Sequence, residues 1–168
     1  MTAATPYRIS FVCTGNICRS PMGAVVLRRL LDDAGIGDTV QIDSAGLGDW
    51  HVGGGADPRT LTALAGRGYD GSRHRAGQIT PSWVADHDLL LAADRGHLAE
   101  LRALASEGTT DRVRLLREFD PQAVADGELE VDDPYFGTAP EFDRCLTEIE
   151  RACRGVVVHV RDRVGVAR

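Results

Sequence analysis

The chain has 168 residues, of which 43% are hydrophobic and 26% charged, and its formal net charge at pH 7 is −6. This length and composition predict one globular domain over residues 1–168. The acidic balance argues against a nucleic-acid partner, because a phosphate backbone is bound by a basic surface. No apolar run approaches the roughly 18 residues of a membrane span, so no membrane partner is expected.

Residues 1–7 lack the charged and apolar segments of a secretory signal, so a cytoplasmic protein is expected. In that compartment the four cysteines favour thiol chemistry or simple burial over a disulfide framework. The five histidines are scattered, and no cluster has the ligand spacing of a zinc site, so neither a metal nor a cofactor is predicted. A nucleotide-binding P-loop is excluded, because its Gly-Lys-Ser/Thr sequence is missing.

The first half of the chain alternates strand and helix patterns. Residues 8–12 predict a short buried strand. A helix is expected over residues 21–34, with Ser20 as its N-cap, a proline at its first position and Gly35 as its stop. Residues 40–44 then alternate like a second strand, and a glycine-rich loop follows them.

Three further helix starts are marked by a capping residue. They predict helices over residues 58–67, 81–85 and 95–106, capped by Asp57, Thr80 and Asp94 respectively. Between the last two helices, residues 88–93 form a continuous apolar run that is typical of a strand buried on both faces.

The last third of the chain predicts a weaker fourth strand over residues 113–116, a long acidic loop over 118–136 and a final helix over about 138–164, with Gly155 as its weak point. Alternating strands and helices predict an α/β fold with a four-stranded parallel sheet flanked by helices on both faces. Ligands of such folds bind beyond the carboxyl ends of the strands.

The segment Cys13–Ser20 lies at such an end, between the first strand and the first helix. Backbone N–H groups of a tight loop and a helix start converge there and can bind a phosphate-sized anion. The same positive field favours the thiolate form of a cysteine, so Cys13 is a candidate nucleophile. Arg19 can hold two phosphate oxygens in a bidentate fork, and the Ser20 hydroxyl can donate a hydrogen bond to the sulfur.

The spacing of a cysteine, five residues and an arginine is weak evidence by itself, because it also occurs at Cys145 and Arg151. That second match contains no glycine and lies within the helical pattern of residues 142–153. Cys13 differs, because a strand precedes it, a glycine lies within its loop and a Ser-Pro helix start follows. The sequence therefore favours Cys13 as the reactive thiol.

With these residues in place, the chain resembles the low-molecular-weight protein tyrosine phosphatases over nearly its whole length. The loop matches the family's pattern in full, and Asp133-Pro134-Tyr135 matches its general-acid segment. The resemblance implies a four-stranded parallel sheet and metal-independent hydrolysis of phosphotyrosine and aryl phosphates through a phosphocysteine. It implies that Cys13 is the nucleophile, that Arg19 binds phosphate and stabilises the transition state, and that Asp133 protonates the leaving phenolate and then activates water.

The resemblance also assigns the residues that support the phosphate-binding loop. Asn16, Ser44 and His74, together with Ser20, would hold the loop's strained turn by hydrogen bonds, and Asp94 would be a buried carboxylate near that histidine. The loop itself comprises Thr14, Gly15, Asn16, Ile17, Cys18 and Ser20. Cys18 is expected either to pack as a buried residue or to form a reversible disulfide with Cys13.

The substrate pocket has an aromatic rim by the same resemblance. A slot walled by aromatic rings admits an aryl phosphate and is too deep for a phosphoserine to reach the thiolate. Phe136 stands where many relatives carry a second tyrosine. The implied partners are tyrosine-phosphorylated proteins, with a cognate tyrosine kinase as a further candidate. The rim positions are Leu47, Trp50, Tyr135 and Phe136.

The same residues leave three alternative functions to consider. An arsenate reductase shares the loop but would need Cys145 and Cys153 to relay a disulfide. Eight helical residues separate their Cα atoms by about 12 Å, against the ~7 Å limit for a disulfide. A protein-arginine phosphatase on this scaffold tends to carry threonine at the position of Ile17, and the larger isoleucine favours tyrosine. A phosphate-binding module without turnover would need neither the nucleophile nor the acid.

Overall fold

The computed structural model describes residues 4–165. Residues 1–3, which belong to the segment 1–7 that lacks the features of a secretory signal, lie outside this range. The four strands are β1 (Tyr7–Cys13), β2 (Val40–Gly46), β3 (Leu89–Ala92) and β4 (Val113–Leu115). They form one parallel sheet in the order β2-β1-β3-β4. The predicted four-stranded parallel sheet is confirmed.

The helices connect the strands and cover the sheet. The structure describes α1 (Arg19–Asp33), α2 (Pro58–Gly66), α3 (Pro81–Asp86), α4 (Arg95–Leu104), α5 (Pro121–Asp126) and α6 (Ala139–Val164), with short 3-10 turns at Gly37–Thr39, Thr110–Arg112 and Leu116–Phe119. Within residues 4–165, no helix is long and apolar enough to cross a membrane.

Alternate residues of the central strands are buried on opposite faces of the sheet. Phe11 of β1 and Leu91 of β3 belong to the larger core cluster, which is shared with α1 and α6. Val12 and Leu90 belong to a second cluster, which includes Leu101 of α4. Helical cover on both faces explains why β3 is apolar throughout rather than alternating.

The order of the strands places the site. From the central strand β1 the chain passes to β2 on one side, and β3 pairs with β1 on the other side. Cys13 ends β1 and Asp94 follows β3, so both lie beyond the carboxyl ends of adjacent strands. This crevice is where open parallel sheets bind ligands.

Three predicted helix caps are confirmed. The side chains of Asp57, Thr80 and Asp94 accept hydrogen bonds from backbone N–H groups in the first turns of α2, α3 and α4. Each satisfies a donor that the helix itself leaves unpaired. These helices begin where the sequence predicts, because the signal for the start is local.

The predicted cap of α1 is wrong. The helix begins at Arg19, with Cys18 in the N-cap position, so Ser20 lies inside the first turn. The hydroxyl of Ser20 is instead 2.9 Å from the sulfur of Cys13 and accepts a hydrogen bond from Asn16. The helix does stop at the predicted place, with Gly35 in the left-handed region at φ 75°.

The acidic segment over residues 118–136 is more ordered than predicted. The 3-10 turn Leu116–Phe119 leads into α5, whose N-cap Asp120 accepts a hydrogen bond from the Gln122 N–H. Gly127 ends α5 at φ 72°. Asp120-Pro121 is the same start signal that Asp57-Pro58 provides for α2, so the sequence does contain the evidence for α5.

Gly155 is not a weak point of the last helix. α6 is continuous through this position, and a Cβ atom on Gly155 would lie 1.7 Å from the carbonyl oxygen of Phe119. The glycine therefore permits the backbone of the 3-10 turn Leu116–Phe119 to approach α6 closely.

Replacing Gly155 with alanine should destabilise the protein by about 1–3 kcal/mol, the usual cost of forcing an extra methyl group into a packed site. Urea denaturation measures the change. Gly66→Ala is the matched control, since a Cβ at Gly66 meets nothing within 4 Å and alanine is favoured over glycine in a helix by about 0.5–1 kcal/mol. Equal effects of the two substitutions would contradict the close contact.

Candidate active site

The loop between β1 and α1 turns at Asn16. This buried residue has a φ of 59°, a left-handed conformation that is uncommon outside glycine. Its side-chain nitrogen donates to the hydroxyls of Ser20 at 2.7 Å and Ser44 at 2.9 Å, and its side-chain oxygen accepts from the Gly77 N–H at 2.9 Å. Contacts from three parts of the chain hold the strained turn.

His74 supports the same turn from outside. Its Nε2 lies 2.6 Å from the carbonyl oxygen of Asn16, and a carbonyl can only accept, so Nε2 carries a proton. Burial lowers the pKa of His74 from its usual value. The structure therefore brings Ser20, Ser44 and His74 together around Asn16, as the sequence comparison with the family implied.

The loop rests directly on the end of β2. A Cβ on Gly46 would lie 2.9 Å from the carbonyl oxygen of Thr14 and 2.9 Å from the carbonyl carbon of Gly15. The N–H of Leu47 donates to the carbonyl of Cys13, and that of Gly48 donates to the carbonyl of Thr14. The first part of the glycine-rich stretch thus has a packing role that sequence analysis missed.

The sulfur of Cys13 and the guanidinium of Arg19 are both buried, with only 3% and 4% of these residues exposed. One terminal nitrogen of Arg19 donates to Asp94 at 3.0 Å and to the carbonyl of Val131 at 2.9 Å. The other lies 3.4 Å from the Thr14 hydroxyl and 3.7 Å from a carboxylate oxygen of Asp133. Arg19 therefore joins the loop to a segment more than a hundred residues away.

Asp94 contacts Arg19 and a histidine that sequence analysis did not single out. It contacts Arg19 and accepts from the His97 N–H at 3.0 Å, because it follows β3, whereas His74 contacts the loop residue Asn16. Burial opposes ionisation of Asp94, but the His97 N–H and the Arg19 guanidinium outweigh it and hold the pKa of the carboxyl below its usual value. The expected proximity of Asp94 to His74 stays a prediction, and the carboxylate is partly rather than fully buried, because 28% of its side chain is exposed.

His97 is a buried residue of the site that sequence analysis missed. Its Nε2 lies 2.8 Å from the Thr14 hydroxyl, and its Nδ1 lies 3.3 Å from an oxygen of Asp94. Burial first, and then the charge of Arg19, lower the pKa of His97 to about 4, so the ring is neutral at pH 7. The available clue was its position in the first turn of α4, three residues after the cap.

Asp133 faces the loop from the far end of the chain. One of its carboxylate oxygens accepts from the Tyr135 N–H at 3.2 Å, and the other is the oxygen near Arg19. Nearly half of the side chain is exposed. The carboxylate is therefore held in place by the turn that Pro134 and Tyr135 form, while it stays open to an incoming molecule.

Cys13, Arg19 and Asp133 line one cavity of about 430 Å³. Trp50 and Phe136 stand at its mouth with 70% and 94% of their surfaces exposed, and Tyr135 packs edge to face on Phe136 at 4.9 Å. His51, which sequence analysis did not single out, also lines the cavity. The full lining is Cys13, Thr14, Gly15, Ile17, Cys18, Arg19, Trp50, His51, Asp133, Tyr135 and Phe136.

One residue predicted to line the rim of the cavity lies elsewhere, and two other predicted residues line a separate cavity. Leu47 does not line this cavity but packs against the second core cluster, because it directly follows β2. A larger cavity of about 700 Å³ is lined by Ser44 and His74 among others, but its lining includes none of Cys13, Arg19 and Asp133. The smaller cavity is the candidate active site.

The family model for low molecular weight phosphotyrosine protein phosphatases matches residues 8–165. The chain belongs to this family. It is 52% identical over 159 residues to a low molecular weight protein-tyrosine-phosphatase of Streptomyces coelicolor, covering 94% of this chain and 96% of that protein. It is 43% identical over 159 residues to protein-tyrosine phosphatase A of Mycobacterium tuberculosis, covering 95% and 94%.

A solved structure agrees with these sequence matches. The crystal structure of a protein tyrosine phosphatase from Entamoeba histolytica superposes with a TM-score of 0.88 at 27% identity, covering 94% of this chain and 98% of that chain. The fold predicted from the sequence and the family that its motifs resemble are both confirmed.

The remaining cysteines of this phosphatase do not form a relay. Cys145 and Cys153 are buried free thiols, and burial raises the pKa of each above its usual value. Burial also raises the pKa of Cys18 to about 12, so this thiol stays protonated. Its reversible disulfide with Cys13 remains a prediction, while its burial among the core residues is observed.

The lowered pKa of His97 makes stability depend on pH. The unfolded chain binds a proton at His97 below pH 6.5, whereas the folded chain does so only near pH 4, so stability is lost as the pH falls between these values. The contribution to the free energy of unfolding is at most about 2 kcal/mol between pH 7 and pH 5.

In His97→Asn the loss of stability between pH 7 and pH 5 should shrink by up to this amount, as measured by urea denaturation at both pH values. His51→Asn, at the partly exposed cavity wall, is the control and should keep the wild-type dependence. A His97→Asn variant with unchanged pH dependence would show that the buried ring does not resist protonation.

Proposed function

We propose that this phosphatase hydrolyses phosphotyrosine in two steps at the cavity that holds Cys13, Arg19 and Asp133. The observation that carries the proposal is the shared cavity, because a sulfur, a guanidinium and a carboxylate from distant parts of the sequence open into it together. A binding module would need the guanidinium alone. The three groups together suit nucleophilic attack with acid catalysis.

In the first step, the loop N–H groups and the guanidinium of Arg19 bind the phosphate oxygens. The thiolate of Cys13 attacks phosphorus, a sulfur–phosphorus bond forms and the bond from phosphorus to the phenolic oxygen breaks. The proton of Asp133 passes to that oxygen, so tyrosine leaves as a neutral phenol. This proton matters because a tyrosine phenol has a pKa of about 10 and is a poor leaving group as an anion.

In the second step, the ionised Asp133 takes a proton from a water molecule that attacks the phosphocysteine. The sulfur–phosphorus bond breaks, inorganic phosphate is released and Cys13 leaves as a thiolate. The hydroxyl of Ser20, 2.9 Å from the sulfur, can donate a hydrogen bond to that thiolate. No metal or cofactor takes part in either step.

The depth of the cavity favours aryl phosphates as substrates. The sulfur of Cys13 lies at the buried end of the cavity, and the aromatic side chains of Trp50, Tyr135 and Phe136 stand toward its mouth. A phenyl ring spans this depth and packs against the rings, while the short side chain of phosphoserine does not. Ile17 adds bulk to the wall, which favours tyrosine over arginine.

We also propose where the protein acts and on which partners. Tyrosine-phosphorylated proteins of the cytoplasm would be the substrates, and a cognate tyrosine kinase is a candidate partner. Residues 1–168 would act as one domain, since both core clusters share the same sheet.

Hydrolysis of p-nitrophenyl phosphate in the presence of a chelator tests the chemistry. Wild-type protein should be active, Cys13→Ser should lose activity, and Asp133→Ala should lose about 10²–10⁴-fold in kcat/KM toward a phosphotyrosine peptide. Asp132→Ala is the control, because its exposed carboxylate does not line the cavity. A fully active Cys13→Ser variant, or arsenate-dependent oxidation of an added thiol instead of hydrolysis, would overturn the proposal.

Substitutions at the aromatic rim of the cavity should raise KM more for a peptide substrate than for a small one. Trp50→Ala or Phe136→Ala should raise KM for a phosphotyrosine peptide about tenfold, the effect of about 1.4 kcal/mol of lost contact. The change for p-nitrophenyl phosphate should be smaller. Val52→Ala removes another exposed apolar side chain that does not line the cavity and should change neither value. Equal effects on both substrates would argue against a peptide-binding rim.

A further inference from the structure

We infer that Arg117 is a positioning residue for the general acid, because it holds the backbone of the segment that carries Asp133. This inference rests on the proposed function, in which Asp133 donates the proton. Arg117 lies in the 3-10 turn that follows β4 and is 7% exposed. One of its terminal nitrogens donates to the carbonyl of Glu130 at 2.8 Å.

Two arginines hold consecutive carbonyls of this segment. Arg117 binds the carbonyl of Glu130, and Arg19 binds the carbonyl of Val131 at 2.9 Å. The N–H of Val131 donates to the carbonyl of Ala93 at 2.8 Å. The two peptide units on either side of the Val131 Cα are therefore held from the ends of three strands, since Arg19 follows β1, Ala93 follows β3 and Arg117 follows β4.

Val131, where these two peptide units meet, lies only two residues before Asp133. Consecutive Cα atoms are 3.8 Å apart, so a rotation at Val131 is carried directly to the carboxylate. A single hydrogen bond fixes the position of one carbonyl, whereas bonds to two successive carbonyls also fix the direction of the chain that leaves them. A displacement of about 1 Å at a reacting group can cost about a hundredfold in rate.

The burial of Arg117 supports a role beyond packing. Removing a guanidinium from water is costly unless its charge is balanced, and the balancing carboxylate here, Glu148 of α6, is 3.8 Å away. The Nε of Arg117 has no hydrogen-bond partner among residues 4–165. A leucine would fill much of the same space without this cost, but it could not hold the carbonyl of Glu130.

The test compares two substrates in one preparation. p-Nitrophenyl phosphate releases an acidic phenol that needs little protonation, whereas phenyl phosphate releases a phenol similar in acidity to that of tyrosine. The ratio of their kcat/KM values reports the help given to the leaving group and does not depend on the fraction of folded enzyme, since that fraction cancels. In Arg117→Leu the ratio should rise at least tenfold in favour of p-nitrophenyl phosphate.

Arg117→Lys should give a smaller rise, because an ammonium group can still donate to the carbonyl, and this variant decides the question if Arg117→Leu does not fold. Two control variants should keep the wild-type ratio. Arg151→Leu makes the same charge change at an arginine that binds Asp120 rather than the acid segment. Glu148→Gln removes the carboxylate but leaves the contact with Glu130.

The Asp133→Ala variant distinguishes a failure of the inference from a failure of the proposed function. If Asp133→Ala does not raise the ratio, the acid role of Asp133 fails. If it does raise the ratio while Arg117→Leu, or Arg117→Lys where Arg117→Leu does not fold, lowers both kcat/KM values equally, Arg117 has a structural role only and the inference is overturned. A rise in Glu148→Gln as large as that in Arg117→Leu would also overturn it, since the ion pair and not the carbonyl contact would then be responsible.

Discussion

The buried guanidinium of Arg19 is the constraint on which the rest of the site depends. A charge in this position must be paired, because removing a partner from a buried ion pair costs about 3–5 kcal/mol. Asp94 and the carbonyl of Val131 supply the pairing, and they come from the end of β3 and from the segment before α6. The acid segment is therefore stable in the position where Asp133 faces the loop, and the geometry of the site is part of the stability of the fold.

The turn at Asn16 shows the same coupling on a smaller scale. A buried left-handed residue is strained, and its polar side chain would be costly without partners. Ser20, Ser44 and the Gly77 N–H satisfy that side chain, and the Ser20 hydroxyl also contacts the sulfur of Cys13. The hydrogen bonds that stabilise the strained turn thus place the groups that would face a phosphate, so little rearrangement is needed when one binds.

The sequence predicts the features that local signals determine, and it misses those that depend on tertiary contacts. Asp57 and Thr80 begin helices as predicted, because each cap and its following proline act within a few residues. Ser20 has the same local appearance, but its hydroxyl contacts Cys13 and Asn16 instead, so α1 starts earlier. The contacts of His97 with Thr14 and of Arg117 with Glu130 depend on which strands lie side by side, and neither spacing nor composition reveals them.

The charge distribution makes binding depend on contact rather than on long-range attraction. The chain carries a net charge of −6, so its overall field repels a phosphorylated, acidic substrate. Charges are screened beyond about 8 Å at physiological ionic strength, and Arg19 lies deep in the cavity, so its attraction begins only after the phosphate has entered. The aromatic rings of Trp50 and Phe136 are met first. The apolar part of the substrate must therefore supply the early binding energy, which is a physical reason for an aryl phosphate to be preferred over a free anion.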